Sequence, residues 1–426
     1  MSESKENPAE SSAKPRLSRR GLLGAVVGGG VVVGGGGFAL GHSLSSSAAE
    51  AANSGSPDIP FYAQHQGGIA TPAQDRLAFA AFDMTSTSRD DLRDLLLTWT
   101  QAAAKMTAGQ PVGPTETQPE VPPVDTGEAL GLAAGGLTIT IGFGPSLFDQ
   151  RFGLASKKPA ILTPLPALPG DELQPEISNG DIGVQACADD PQVAFHAIRN
   201  FARLARGVAV LRWSQLGFGR TSTTSNSQAT PRNLMGFKDG TNNIKLEDTS
   251  ALADFVFVGN EGDQAWMRGG SYLVTRRIRM HIESWDRDRL GDQEAVFGRT
   301  KTSGAPLTGK SEFDTVNLTA KGSDGQTVIP ADAHIRLAGP ASNGGLKILR
   351  RGYSYTDGID PRTGELDAGL FFIAYQKDPH KQFVPIQTRL GSSDALNEYI
   401  THTSSALFAC PPGASTSKPW GADLLR

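Results

Sequence analysis

Val184-Gln185-Ala186-Cys187-Ala188-Asp189-Asp190-Pro191 is an apolar run that stops at an acidic pair and a proline, with Phe195 and Ile198 beyond it. Phe372-Ile373-Ala374-Tyr375-Gln376-Lys377-Asp378-Pro379 repeats the pattern, with Phe383 and Ile386 at the same offsets from the Asp-Pro step. In both stretches a strand-length apolar run meets a helix start, where Asp suits the N-cap and Pro the first helical position. The preceding stretches correspond more loosely: Leu77–Trp99 and Ser271–Arg289 each read as a strand leading into a helix. Two β-α-β units therefore stand on either side of about residue 225. The natural reading is an α+β fold of duplicated ferredoxin-like units, each an antiparallel sheet with helices on one side. A chance likeness between two α+β segments is the alternative that the pattern alone leaves open.

Working outward, Leu77–Asp83 reads as a strand, and residues 88–106 as a helix after Ser88, with Leu92, Leu95, Leu96, Leu97 and Trp99 at helical spacing. Residues 107–130 and 153–180 are rich in turn formers and read as long loops. Gly136–Phe143 and Val208–Leu216 read as strands, and Pro191–Ala205 as a helix. The chain divides into a leader over 1–50, a linker over 51–72, an N-terminal ferredoxin-like unit over 73–225 and a C-terminal one over 226–426.

The leader is an address. Leu17-Ser18-Arg19-Arg20-Gly21-Leu22-Leu23 precedes a Gly-rich, mildly apolar run to about Leu40, and small residues at 46–49 suit cleavage. Paired arginines before a weak apolar segment are the layout of a twin-arginine export signal, with an uncleaved anchor as the other reading. That route carries proteins folded before export, often around a cofactor, and places this chain in the periplasm or outside the cell.

Over 426 residues, 38% hydrophobic and 20% charged composition describes a globular enzyme, and a net charge of −4 without a basic run argues against a nucleic-acid partner. Cys187 and Cys410 are too few for a zinc or iron–sulfur site and lie in apolar runs, so buried free thiols are favoured over a disulfide. No two of the seven histidines stand four apart, and no nucleophile elbow, Walker loop or dinucleotide fingerprint occurs.

Three segments carry chemistry. Asn233-Leu234-Met235-Gly236-Phe237-Lys238-Asp239-Gly240-Thr241-Asn242-Asn243 sets a carboxylate on a glycine-flanked turn. Ala333-His334-Ile335-Arg336-Leu337-Ala338-Gly339-Pro340 holds a single histidine, and Ile348-Leu349-Arg350-Arg351-Gly352-Tyr353-Ser354-Tyr355 an arginine pair. Taken singly they are an Asp-Gly turn, a structural histidine and a charged strand edge.

Together and in this order, Gly-x-x-Asp-Gly, His-Ile-Arg and Leu-Arg-Arg-Gly-Tyr resemble the dye-decolourising haem peroxidases, and most of all their exported peroxidase/deferrochelatase branch. The likeness spans about residues 70–412, including the closing Ala406-Leu407-Phe408-Ala409-Cys410-Pro411-Pro412. It implies a barrel of the dimeric α+β type, with one haem b per chain held mainly by the C-terminal half. It implies His334 as the axial iron ligand, Asp239 as the distal acid–base residue and Arg350 as the distal charge stabiliser. Gly240, Thr241 and Asn242 match haem-lining positions, and Glu398 is placed as the carboxylate behind His334. The branch carries Asn-Pro-Arg where this chain has Gly339-Pro340-Ala341, so an arginine suited to a haem propionate is absent from that loop.

The chemistry suits these residues. A peroxidase needs an electron-rich iron, a base to move a proton between the peroxide oxygens, and a cation for the departing charge. Unperturbed aspartate titrates at about pH 3.9, so a distal aspartate favours acidic conditions. The implied partners are hydrogen peroxide, an organic electron donor, components of an iron-uptake system and a second copy of the chain. Trp213, Tyr353 and Tyr355 are candidate electron relays, with core packing as the other reading. The rival functions are an exported haem carrier or deferrochelatase, which needs His334 but not Asp239 or Arg350; a chlorite-dismutase-like enzyme, which lacks the aspartate; and a structural α+β domain.

Overall fold

The computed structural model describes residues 59–224 and 228–426. The twin-arginine leader over 1–50 and the first part of the expected linker lie outside the described residues.

The first half runs β1 (Arg76–Met84), α1 (Arg89–Thr107), β2 (Thr138–Phe143), β3 (Ile182–Ala188), α2 (Pro191–Leu204) and β4 (Ala209–Arg220). Its strands lie in the order β2-β3-β1-β4, all antiparallel, which is the ferredoxin-like arrangement. Ser88 caps α1 by accepting from the Asp91 N–H, and Asp190 caps α2 by accepting from Gln192 and Val193. α1 buries Leu92, Leu95, Leu96, Trp99 and Met106 along one face, the i, i+3, i+4, i+7 stripe expected of a helix laid on a sheet.

The second half repeats the order. After α3 (Thr249–Phe255) come β5 (Ser271–Met280), α4 (Ile282–Trp285), α5 (Leu290–Phe297), α6 (His334–Ala338), β6 (Leu349–Arg350), β7 (Tyr353–Ile359), β8 (Leu366–Gln376), α7 (Phe383–Ser393) and β9 (Ile400–Cys410). Its strands lie as β7-β8-β5-β9. The halves are joined at both edges: Phe143 faces Ala409 between β2 and β9, and Phe218 faces Ser354 between β4 and β7. The eight long strands thus close into one antiparallel barrel without a free edge.

β1, β2 and β3 read as continuous apolar runs because both of their faces are covered, whereas β4 leaves Val210, Leu211 and Leu216 exposed. Along β1, Ala78, Ala80 and Phe82 face the core under α1 and α2, while Leu77, Phe79 and Ala81 belong to a second core inside the barrel. There Phe79 stacks on Trp213 at 5.2 Å and meets Phe371 at 5.3 Å. Cys187 and Cys410 are buried free thiols.

Three expectations need correction. The helix after Ser271–Met280 is broken into α4 and α5, because Trp285 turns inward to donate to Met235 O and pack on Phe237, Phe297 and Tyr399. The Asp378-Pro379 step opens a turn, and α7 begins only at Phe383. Asp378 caps His380 and Lys381, while Gln382 is drawn aside to donate to Phe255 O and Lys347 O. The linker reading of 51–72 fails from His65 onward. His65 stacks on Phe257 at 3.6 Å, Gln66 bridges Ile141 and Pro411, and Ile69 is fully buried. No helix among the described residues is long and apolar enough to cross a membrane.

Candidate active site

His334 opens the short helix α6, on the long connection between α5 and β6. Its Nδ1 donates to Asp394 Oδ2 at 2.6 Å. Asp394 is itself fixed: its side chain is 3% exposed, its Oδ1 accepts from Leu396 N, and the neighbouring Ala395 N donates to Asp332 O two residues before His334. Burial alone pushes the imidazole pKa down, but the charge and hydrogen bond of Asp394 reverse this and the net shift is upward. The charges of Asp239 (upward) and Arg350 (downward) also reach the ring.

Asp239 is held by a folded turn. Asn233 Oδ1 accepts from Met235 N and Phe237 N, Gly236 takes φ +85°, and Asp239 N donates to Pro231 O at 2.9 Å. Phe237 stacks on Phe297 at 4.2 Å, and Phe297 meets the His334 ring edge-on at 6.1 Å, so one aromatic column links the two sides of the site. Gly240 has φ +95°, and a Cβ there would lie 2.6 Å from Ser222 Cα; no other residue fits.

Arg350 Nη1 donates to Asp239 Oδ1 at 2.7 Å, with the side chains 27% and 14% exposed. The two residues expected on the distal side are thus an ion pair, still partly open. Thr241 donates to Glu312 Oε1 at 3.0 Å, while Asn242 is exposed. Glu312 was not legible in the sequence, since Ser311-Glu312-Phe313 matches no motif. Its carboxylate binds both Lys238 and Thr241; burial pushes its pKa up, but these partners hold it below the usual carboxylate range.

Glu398 is not the carboxylate behind His334. Asp394, four residues earlier, fills that position, and Glu398 is exposed at the far end of the 3-10 turn between them. Gly339 is required by contact, since a Cβ would meet Ile335 O at 2.8 Å. Pro340 starts a short turn, and Ala341 is exposed. Asn343 closes this loop by donating to Leu337 O and Gly339 O, and Arg389 of α7 reaches it through Asn343 Oδ1. Trp213, Tyr353 and Tyr355 all lie in the barrel interior, at most 7% exposed. They are core residues there, not surface aromatics.

The donor chemistry fits haem. Among the described residues no group of three His, Cys, Asp or Glu could hold a bare metal ion. His334 instead offers one imidazole whose Nδ1 is taken by a buried carboxylate, which leaves Nε2 as a single ligand for an iron already equipped with a macrocycle. The other buried histidine paired to a carboxylate, His196 with Asp125 at 2.9 Å, is an internal staple of the 107–130 loop.

Comparison with known proteins assigns the family. Residues 66–219 match the Dyp-type peroxidase, N-terminal family and residues 230–415 the Dyp-type peroxidase, C-terminal family. A deferrochelatase of Yersinia pseudotuberculosis is 38% identical over 394 residues, covering 88% of this chain and 89% of the relative. The crystal structure of a DyP-type peroxidase from Streptomyces coelicolor shares 41% identity with a TM-score of 0.80, covering 87% of this chain and 98% of that one. Ferric DtpA from Streptomyces lividans is equally similar, at 41% identity, TM-score 0.80 and the same coverage. This chain belongs to the Dyp-type peroxidase family, and it is a peroxidase with the α+β fold of that family.

Proposed function

We propose that the protein binds one haem b per chain through His334, reduces hydrogen peroxide and oxidises organic, dye-type donors in one-electron steps. The observation that supports this most is the pairing of two dyads. His334 is backed by Asp394, and Asp239 is bound to Arg350.

Bound at His334, haem supplies the redox chemistry with peroxide. The chain's residues do the rest. Asp394 fixes the tautomer of His334, with the proton on Nδ1 and the Nε2 lone pair free for iron, and lends the ring imidazolate character. Asp239 would serve as the base that carries a proton from one peroxide oxygen to the other. The Arg350 guanidinium orients Asp239 and would stabilise the charge that develops on the leaving oxygen. The loop Gly240–Asn242 and the turn Gly339–Ala341 border the haem edge in this reading. Ala341 provides no partner for a propionate.

A second reading is favoured by the curated relatives, which carry the name deferrochelatase: release of iron from haem for uptake. It uses the same ligand, and the ion pair of Asp239 and Arg350 favours peroxidase chemistry over it. The Arg19-Arg20 leader supports export by the twin-arginine route to the periplasm or beyond, and the protein acts there as a homodimer. The deciding experiment incubates the haem-loaded protein with peroxide and an aromatic donor, and separately with a reductant and an iron chelator. Oxidised donor with no free protoporphyrin supports the peroxidase; fluorescent metal-free protoporphyrin without donor oxidation supports the alternative.

A further inference from the structure

Arg350 lies at a break in its strand. β6 is only two residues long, and the chain resumes as β7 at Tyr353. On one side Leu349 and Arg350 pair with Tyr375 and Ala374 of β8. On the other side no strand among the described residues pairs with the Arg350 backbone, since β4 meets β7 at Tyr353 and Ser354. A side chain takes the place of the missing strand. Arg350 N donates to Asn243 Oδ1 at 2.8 Å, and Asn243 Nδ2 donates back to Arg350 O at 2.9 Å.

The same Nδ2 also donates to Thr223 O at 2.8 Å, and Ser222 Oγ donates to Arg350 O at 2.8 Å. Asn243 N in turn donates to Gly240 O, next to Asp239. One buried amide, 7% exposed, therefore ties together the Asp239 turn, the 222–224 segment and the strand that carries Arg350. Asparagine suits the task because its amide carries an acceptor and two donors side by side, matching one N–H and two carbonyls; aspartate has only acceptors.

We propose that Asn243 is the positioning residue for Arg350: it fixes the arginine's backbone relative to the Asp239 turn, so that guanidinium and carboxylate meet in one geometry. This rests on the roles of Asp239 and Arg350 proposed above. Asn243 itself touches neither peroxide nor haem in this account. Its effect passes through Arg350.

A double-mutant cycle tests this. Asn243→Ala, Arg350→Leu and the pair are loaded with haem, and fluoride affinity of the ferric protein is read by absorption alongside the rate of the first peroxide-dependent spectral change. Fluoride is the probe because a distal cation that donates hydrogen bonds strengthens its binding. Asn243→Ala is expected to weaken fluoride binding and slow the peroxide phase on the order of 10–100-fold, as displacements near 1 Å do. In the Arg350→Leu background the same substitution is expected to change neither. Ser222→Ala removes another donor to the same carbonyl; it is expected to give a smaller loss with the same dependence on Arg350, and serves if Asn243→Ala does not fold. An Asn243→Ala effect of equal size with and without Arg350 overturns the inference. If Arg350→Leu itself leaves fluoride affinity and rate unchanged, the role of Arg350 falls as well, and the two failures are told apart.

Discussion

Nδ1 of His334 donates to Oδ2 of Asp394 at 2.6 Å, and Oδ1 of the same carboxylate accepts from Leu396 N, so the acid that orients the histidine is held at both oxygens. A carboxylate fixed in this way sets ring orientation and basicity together. Asp394→Asn is expected to keep haem bound but lower peroxide turnover about 10–100-fold, the usual cost of removing such a partner. Glu398→Gln is expected to leave turnover unchanged. Steady-state assays of both variants check this, and equal losses would mean that the histidine answers to Glu398.

Asp239→Asn keeps the shape of the side chain and removes the proposed base. The first peroxide-dependent spectral change is expected to slow by about 10²–10⁴-fold in stopped flow, with haem content unchanged. A rate equal to that of the unaltered protein would move proton transfer to another group, with Arg350 the first to test.

His402 gives the barrel an acid limit. It is 4% exposed, and burial, aided by the charge of Arg276, pushes its pKa down to about 3. The folded protein keeps this imidazole neutral where the unfolded chain protonates it, near pH 6.5. Stability from this group is therefore present above pH 6.5 and is lost as pH falls toward 3. At pH 4.5 the loss is about 2–3 kcal/mol relative to pH 7. His402→Gln is expected to flatten that slope in denaturant titrations at the two pH values, and an unchanged slope would assign the acid sensitivity to other groups.

The leader makes a separate prediction. Arg19→Lys with Arg20→Lys is expected to hold the full-length protein in the cytoplasm, in folded form, as read by cell fractionation. Normal export of that variant would remove the twin-arginine assignment without touching the active site.

The duplication was legible because an apolar strand run ending in Asp-Pro recurs in both halves, and the candidate site because Asp239, His334 and Arg350 sit in short, ordered motifs. The helix after the second Asp-Pro step was misplaced, because the tertiary contacts of Gln382 set where α7 begins. Asp394 was missed for a related reason. Asp394-Ala395-Leu396-Asn397-Glu398 carries an acid at each end of one turn, and only the packing of Leu396 and Tyr399 decides which end faces His334. Glu312 and the clamp of Asn243 join segments 71 and 107 residues apart, a distance at which local pattern carries no information. For Trp213, Tyr353 and Tyr355 the core-packing reading is the one the barrel interior supports, since all three are buried there.

The central claim is that His334 carries the iron. The absorption spectrum of the protein and of His334→Ala, each purified after expression with haem supplied, tests it most directly. The account predicts a Soret band that shifts on adding peroxide for the unaltered protein, and loss of that band for His334→Ala. A His334→Ala protein with normal haem content and an unchanged Soret band would contradict it.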